Sequence, residues 1–122
     1  MGKTSKIERF ELTKEYFISR VITGCWQFSA GHGTVISQEN EIKNLNEYVF
    51  RGMTAFDCAD IYSGVEEFLG KFRKQCENTI QIHTKFVPDL DMLPHMNKEY
   101  VERIIDRSLQ RIGVEKLDLV QF

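Results

Sequence analysis

The chain has 122 residues, 42% of them hydrophobic and 28% charged, and 16 basic against 18 acidic side chains leave a net charge of −2. This is the composition of an ordinary globular domain with a real core, not of a disordered, collagen-like or disulfide-scaffold chain. The near-neutral balance, with no basic cluster interleaved by aromatics, argues against a nucleic-acid partner. No apolar run approaches the roughly 18 residues of a membrane span, so no membrane partner is expected. Met1 to Lys6 continue into charged residues without an apolar stretch, which does not resemble a secretory leader. Cys25, Cys58 and Cys76 are widely spaced and form no C-x-x-C, so free thiols in a reducing, cytoplasmic compartment are the simplest expectation.

Residues 1–17 are polar and read as a loose arm or a short covering hairpin. The first strand is expected near 20–24, where Arg20-Val21-Ile22-Thr23 is stopped by Gly24. Ser37 then caps a helix over 38–50, with Ile42, Leu45 and Val49 at helical spacing and Gly52 at its C-terminal end. A second strand is expected over 53–57. Ser63 and Glu66 fit a capping box ahead of a helix over 64–76, whose apolar face carries Val65, Phe68, Leu69 and Phe72. The third strand covers 80–84. Asn97 caps the best amphipathic helix, 97–112, with Val101, Ile104, Ile105, Leu109 and Ile112 on one stripe and Gly113 closing it. The last strand is 117–122. Alternation at this spacing is that of βα units, which place strands in parallel. A small doubly wound sheet is the other architecture compatible with the pattern.

In parallel βα folds the side chains at the carboxyl ends of the strands line the active face. Gly24-Cys25-Trp26 follow the first strand, Asp57 ends the second with Tyr62 five residues on, and Lys85 ends the third. Parallel strands therefore bring Asp57, Tyr62 and Lys85 to one rim. A free tyrosine holds its proton too tightly to be a good donor at neutral pH. A neighbouring ammonium favours the phenolate, and a carboxylate fixes the ammonium, so the trio is suited to protonating an oxygen as it becomes an alkoxide. Gly31-His32-Gly33 reads as a flexible active-face loop rather than a phosphate loop, because Ile36 stands where a third glycine belongs. Asp89, Asp91 and His95, flanked by Pro88 and Pro94, read as a polar loop rather than a metal site, so no metal is expected. His83, inside the third strand, reads as a packed or hydrogen-bonded histidine.

Phe56-Asp57-Cys58-Ala59-Asp60-Ile61-Tyr62 followed by Glu66-Glu67-Phe68-Leu69-Gly70 resembles the D-x-A-x-x-Y and E-E-x-L-G signature of the aldo-keto reductase family. Gly24-Cys25-Trp26 is similar to its G-T-W, Thr84-Lys85-Phe86 to its T-K-[FVIL], and Ser108 to Gln121 to its S-L-x-R-L-G-x-x-x-x-D-L-x-Q stretch. The resemblance implies an NADP(H)-dependent oxidoreductase that reduces small aldehydes and ketones on a (β/α)8 barrel. It implies Tyr62 as general acid, Lys85 and Asp57 as the groups that tune it, and Gly24, Cys25, Trp26 and Asp57 beside the nicotinamide end of the cofactor. The family's fourth catalytic residue, a histidine, follows the D-L-x-Q run, which here reaches Phe122. A closed barrel needs roughly 200 residues. The expectation is therefore the N-terminal half of a barrel, about four parallel strands with helical crossovers, forming one incomplete domain over 1–122. Alone it is expected to be inactive and to bind NADPH very weakly; an inert or binding-only fragment is the alternative. An uncovered inner face of Val, Ile and Phe and two open barrel edges are expected to make it self-associate, aggregate or stay partly molten.

Overall fold

The computed structural model describes residues 6–29 and 37–122. The Gly31-His32-Gly33 loop and Ile36 lie outside the described residues. An antiparallel hairpin comes first, β1 (Arg9–Thr13) and β2 (Tyr16–Ser19). It is followed by β3 (Ile22–Gly24), α1 (Gln38–Phe50), β4 (Ala55–Asp57), α2 (Val65–Gln75), β5 (Gln81–Lys85), α3 (Lys98–Ile112) and β6 (Leu119–Gln121). β3, β4, β5 and β6 lie side by side in that order, and each pairs with the next in parallel. This is the four-stranded parallel, helix-crossed arrangement that the alternation of elements predicts, and it agrees with the half barrel that the family resemblance implies.

Local chemistry explains most element ends. Ser37 accepts from the Asn40 N–H at 3.3 Å at the start of α1, and Asn97 accepts from the Tyr100 N–H at 2.8 Å at the start of α3. Gly52 and Gly113, at φ 95° and 77°, end α1 and α3 in the left-handed region, where a Cβ is strained. β4 and β6 are shorter than expected because side chains replace ladder partners. The Thr54 and Ala55 N–H groups both donate to Ser19 Oγ at 3.1 Å. The Ile82 N–H donates to the Asp118 carboxylate at 2.9 Å, so β6 begins only at Leu119.

The sheet has two unlike faces. Phe56 packs edge-on against Phe72 of α2, with ring centroids 5.7 Å apart, and with Ile82, Leu69, Leu45, Val49 and Ile112 it forms the core between sheet and helices. Strand alternation then turns Ala55, Asp57, Gln81, His83 and Lys85 to the opposite, inner face. The expected inner face of Val, Ile and Phe is thus corrected. Most of those side chains, Phe56 and Ile82 among them, fill the helix-covered core, and the inner face, apart from Ile22 and Leu119, is largely polar.

The hairpin closes the amino-terminal end of that inner face. Arg9 donates to Thr54 Oγ1 at 2.9 Å, Thr54 Oγ1 donates to the Gln81 carboxamide at 2.6 Å, and the Tyr16 hydroxyl meets His83 Nε2 at 2.9 Å. α2 and α3 approach closely at Gly70, which faces the backbone of Ile112.

Candidate active site

The carboxyl ends of the strands are joined one after another by backbone hydrogen bonds. The Cys25 N–H donates to the Asp57 carbonyl at 3.0 Å, Cys58 N–H to His83 at 2.7 Å, Asp60 N–H to Lys85 at 3.2 Å and Phe86 N–H to Gln121 at 2.8 Å. Asp57 and Lys85 end adjacent strands on the inner face, so their side chains meet without any special loop. Lys85 Nζ lies 2.8 and 2.7 Å from the two Asp57 carboxylate oxygens and 2.8 Å from the Cys58 carbonyl oxygen. Three acceptors match the three N–H donors of an ammonium. The Tyr62 ring lies under the same ammonium, 5.5 Å from nitrogen to ring centroid, within cation–π range. The sequence-predicted trio is therefore assembled, and Lys85 addresses Tyr62 through its charge over the ring while its hydrogen bonds serve Asp57 and Cys58.

The residues after β3 divide. Gly24 sits in register with Asp57, and among the described residues a Cβ there would meet nothing within 4 Å, so they leave an open corner beside the carboxylate. Trp26 starts a short 3₁₀ turn, Trp26–Phe28, and is 48% exposed. Cys25 is different: its side chain is fully buried in the core, and burial pushes its thiol well above the usual range. Cys58 is likewise buried, its thiol raised to about 12 by burial first and by Glu66 next. Cys25 thus shapes the turn from within the core.

The capping box at Ser63 is not formed. Gly64, at φ 79°, is the N-cap of α2 and lends no side-chain bond, and Glu66 points into the protein. Its carboxylate is fully buried, accepts from Thr84 Oγ1 at 2.9 Å and pairs with Arg111 Nη1 at 3.1 Å. The same Arg111 nitrogen donates to the Asp60 carbonyl at 2.9 Å, while Arg111 Nε lies 3.3 Å from Glu67. The Asp60 carboxylate, nearly buried, accepts from the Val87 N–H at 3.1 Å and lies 3.6 Å from Arg107. Burial raises the Asp60 carboxyl above the usual carboxylate range, against the pull of the Val87 bond. Sequence reasoning missed this group; the signal was Glu66 falling on the same face of α2 as Leu69 and Gly70. At the other end of the inner face, burial pushes Tyr16 up to about 12, with Asp118 adding to it, and burial lowers His83.

The model of the aldo/keto reductase family matches residues 20–122. The chain belongs to the aldo/keto reductase family. It is 30% identical over 114 residues to the soybean (Glycine max) protein named "Probable aldo-keto reductase 1", covering 88% of this chain and 33% of that one. Among solved structures it resembles the PA4992 protein of Pseudomonas aeruginosa, with a TM-score of 0.77 and 21% identity over 92% of this chain and 46% of that one. It also resembles the aldo-keto reductase of the silkworm Bombyx mori, with a TM-score of 0.71 and 22% identity over 95% of this chain and 36% of that one. The chain thus spans between a third and a half of the length of these relatives. The fold is the N-terminal half of the family's (β/α)8 barrel. No helix among the described residues is long and apolar enough to cross a membrane.

Proposed function

We propose that this chain is the proton-donating half of an NADPH-dependent aldo-keto reductase that reduces aldehyde or ketone groups of small molecules. The observation that carries the reading is the Asp57–Lys85–Tyr62 cluster on the carboxyl rim of a parallel sheet. Tyr62 gives its hydroxyl proton to the carbonyl oxygen as that oxygen gains negative charge. The Lys85 ammonium, held in place by both Asp57 oxygens, compensates the charge left on the ring. The hydride for the carbonyl carbon comes from reduced NADP when that cofactor is bound. The residues present fit its nicotinamide end: Gly24 leaves an open corner beside Asp57, and Asp57 keeps acceptor capacity for a ribose hydroxyl beyond the bonds it takes from Lys85. Trp26 follows that corner by two residues in the chain, and Cys25 supports it from the core. The rest of the cofactor needs strands beyond β6, because a closed barrel has eight and the sheet here has four. The 122-residue chain alone is therefore inactive in this reading, and the three free thiols, two of them buried, favour the cytoplasm as its compartment.

The test is a barrel completed by fusing these residues to the remaining part of a relative, assayed for NADPH oxidation with a panel of aldehydes. Tyr62→Phe is expected to lower turnover by about 10²–10⁴-fold, the usual worth of general acid catalysis, with NADPH affinity by fluorescence titration unchanged. Full turnover in the Phe variant refutes the donor role. Tight NADPH binding by the 122-residue chain alone refutes the need for the missing strands.

A further inference from the structure

Glu66 and Thr84 are fully buried, and they lie between the two segments that carry Tyr62 and Lys85. Glu66 Oε2 accepts a hydrogen bond from the hydroxyl of Thr84, the residue next to Lys85, at 2.9 Å. Glu66 Oε1 lies 3.1 Å from Arg111 Nη1, and the same nitrogen reaches the carbonyl of Asp60, two residues before Tyr62, at 2.9 Å. One guanidinium from α3 and one carboxylate from α2 thus bridge the end of β5 to the loop after β4. The Asp60 side chain adds a second tie, from the loop to the Val87 N–H beyond Lys85.

Stability alone does not account for this arrangement. Burying a carboxylate costs several kcal/mol, and well-packed apolar residues of the same volume often serve a core equally well or better. What a buried, hydrogen-bonded ion pair adds is a defined geometry, because each partner has one set of positions in which all its bonds are made. Here that geometry sets the loop carrying Tyr62 relative to the strand carrying Lys85. The Lys85 hydrogen bonds go to Asp57 and Cys58, and its ammonium meets Tyr62 over the ring. The ring's place under that charge is therefore inherited from the backbone of the 58–62 loop.

We propose that Arg111, clamped by Glu66, is a positioning residue that holds the Tyr62 ring under the Lys85 ammonium by fixing the Asp60 carbonyl. The role rests on the reading of Tyr62 and Lys85 as an acid–base pair, but its test does not use catalysis. The 122-residue chain is labelled at tyrosine and lysine, and nuclear Overhauser contacts between the Tyr62 ring and the Lys85 ε-methylene are recorded well below the unfolding temperature. The chain is expected to show the contact together with an upfield, ring-induced shift of the ε-protons. Arg111→Gln is expected to lose both while retaining its helical circular dichroism. Should Arg111→Gln fail to fold, Thr84→Val, which keeps the shape and removes only the hydroxyl, is expected to weaken the same contact. Glu67→Gln, on the exposed side of Arg111, is expected to keep it. An unchanged Tyr62–Lys85 contact in folded Arg111→Gln, or in Thr84→Val when the first variant does not fold, overturns the positioning role alone. Absence of the contact in the unmodified chain overturns both the positioning role and the pairing on which the proposed function stands.

Discussion

Gly70→Ala offers a demanding test of the packing that supports the site. On helix propensity alone the change favours the folded chain by about 1 kcal/mol, since glycine is the weakest helix former after proline. The structure opposes that gain. An alanine Cβ at position 70 would lie 2.7 Å from the Ile112 carbonyl carbon and 2.8 Å from its Cα, and closer still to its oxygen. Carbon atoms rest about 3.5–4.0 Å apart, so α3 must retreat by roughly 1 Å. The obstacle is backbone, which cannot swing aside as a side chain does, and overpacking of this kind typically costs about 1–3 kcal/mol. Arg111 is the neighbour of Ile112 and moves with it, stretching the bonds of 2.9 and 3.1 Å to the Asp60 carbonyl and Glu66. Leaving those buried acceptors poorly paired adds about 1–3 kcal/mol. Set against the propensity gain, the net loss is about 1–5 kcal/mol. For a chain of this size it lowers the thermal midpoint by about 4 °C per kcal/mol. Circular dichroism melts of the two chains at one protein concentration measure it. A midpoint that stays level or rises in Gly70→Ala refutes the close approach of α2 and α3.

Other outcomes follow from the same structure. Burial lowers the His83 pKa in the folded chain, so between that value and the ordinary ~6.5 the unfolded chain binds more protons and stability falls as pH drops through about 6.5. Urea midpoints across this range are expected to slope less in His83→Gln, and an identical slope contradicts the burial. Thiol titration of the folded chain is expected to modify Cys76 quickly and to leave the buried, high-pKa Cys25 and Cys58 protected until denaturant is added. Fast modification of all three contradicts their place in the core. Asn97→Ala removes the cap of α3 and is expected to cost about 0.5–2 kcal/mol in urea unfolding; no measurable change contradicts the cap. Among the described residues β3 and β6 are each paired on one side only, so sedimentation velocity is expected to show concentration-dependent association of the chain. A single monomer boundary at all concentrations refutes that.

What could be read in the sequence was what short-range chemistry decides. Asn97 and Gly113 fix the ends of α3 within one turn of themselves, and both behave as their residue types dictate. The trio was legible because parallel strands send their carboxyl ends to one rim, so Asp57 and Lys85 needed only correct strand ends to meet. The capping box failed because Ser63 and Glu66 fit a local motif while Glu66 had better partners from β5 and α3, 18 and 45 residues away. The polarity of the inner face was missed because Ile80-Gln81-Ile82-His83 alternates in both directions equally well. Which parity faces the helices is settled only by partners such as Phe72 for Phe56. The Tyr16–His83 contact joins residues 67 apart, and no periodicity carries that information.

Whether Lys85 acts through Tyr62 as one acid–base unit is decided by a double-mutant cycle in the completed barrel. Turnover is measured for Tyr62→Phe, Lys85→Met and the pair together. Groups that act as a unit are strongly non-additive. The double variant is therefore expected to lose no more than Tyr62→Phe alone. Losses that multiply would show that Lys85 and Tyr62 act independently and would contradict the acid–base pairing.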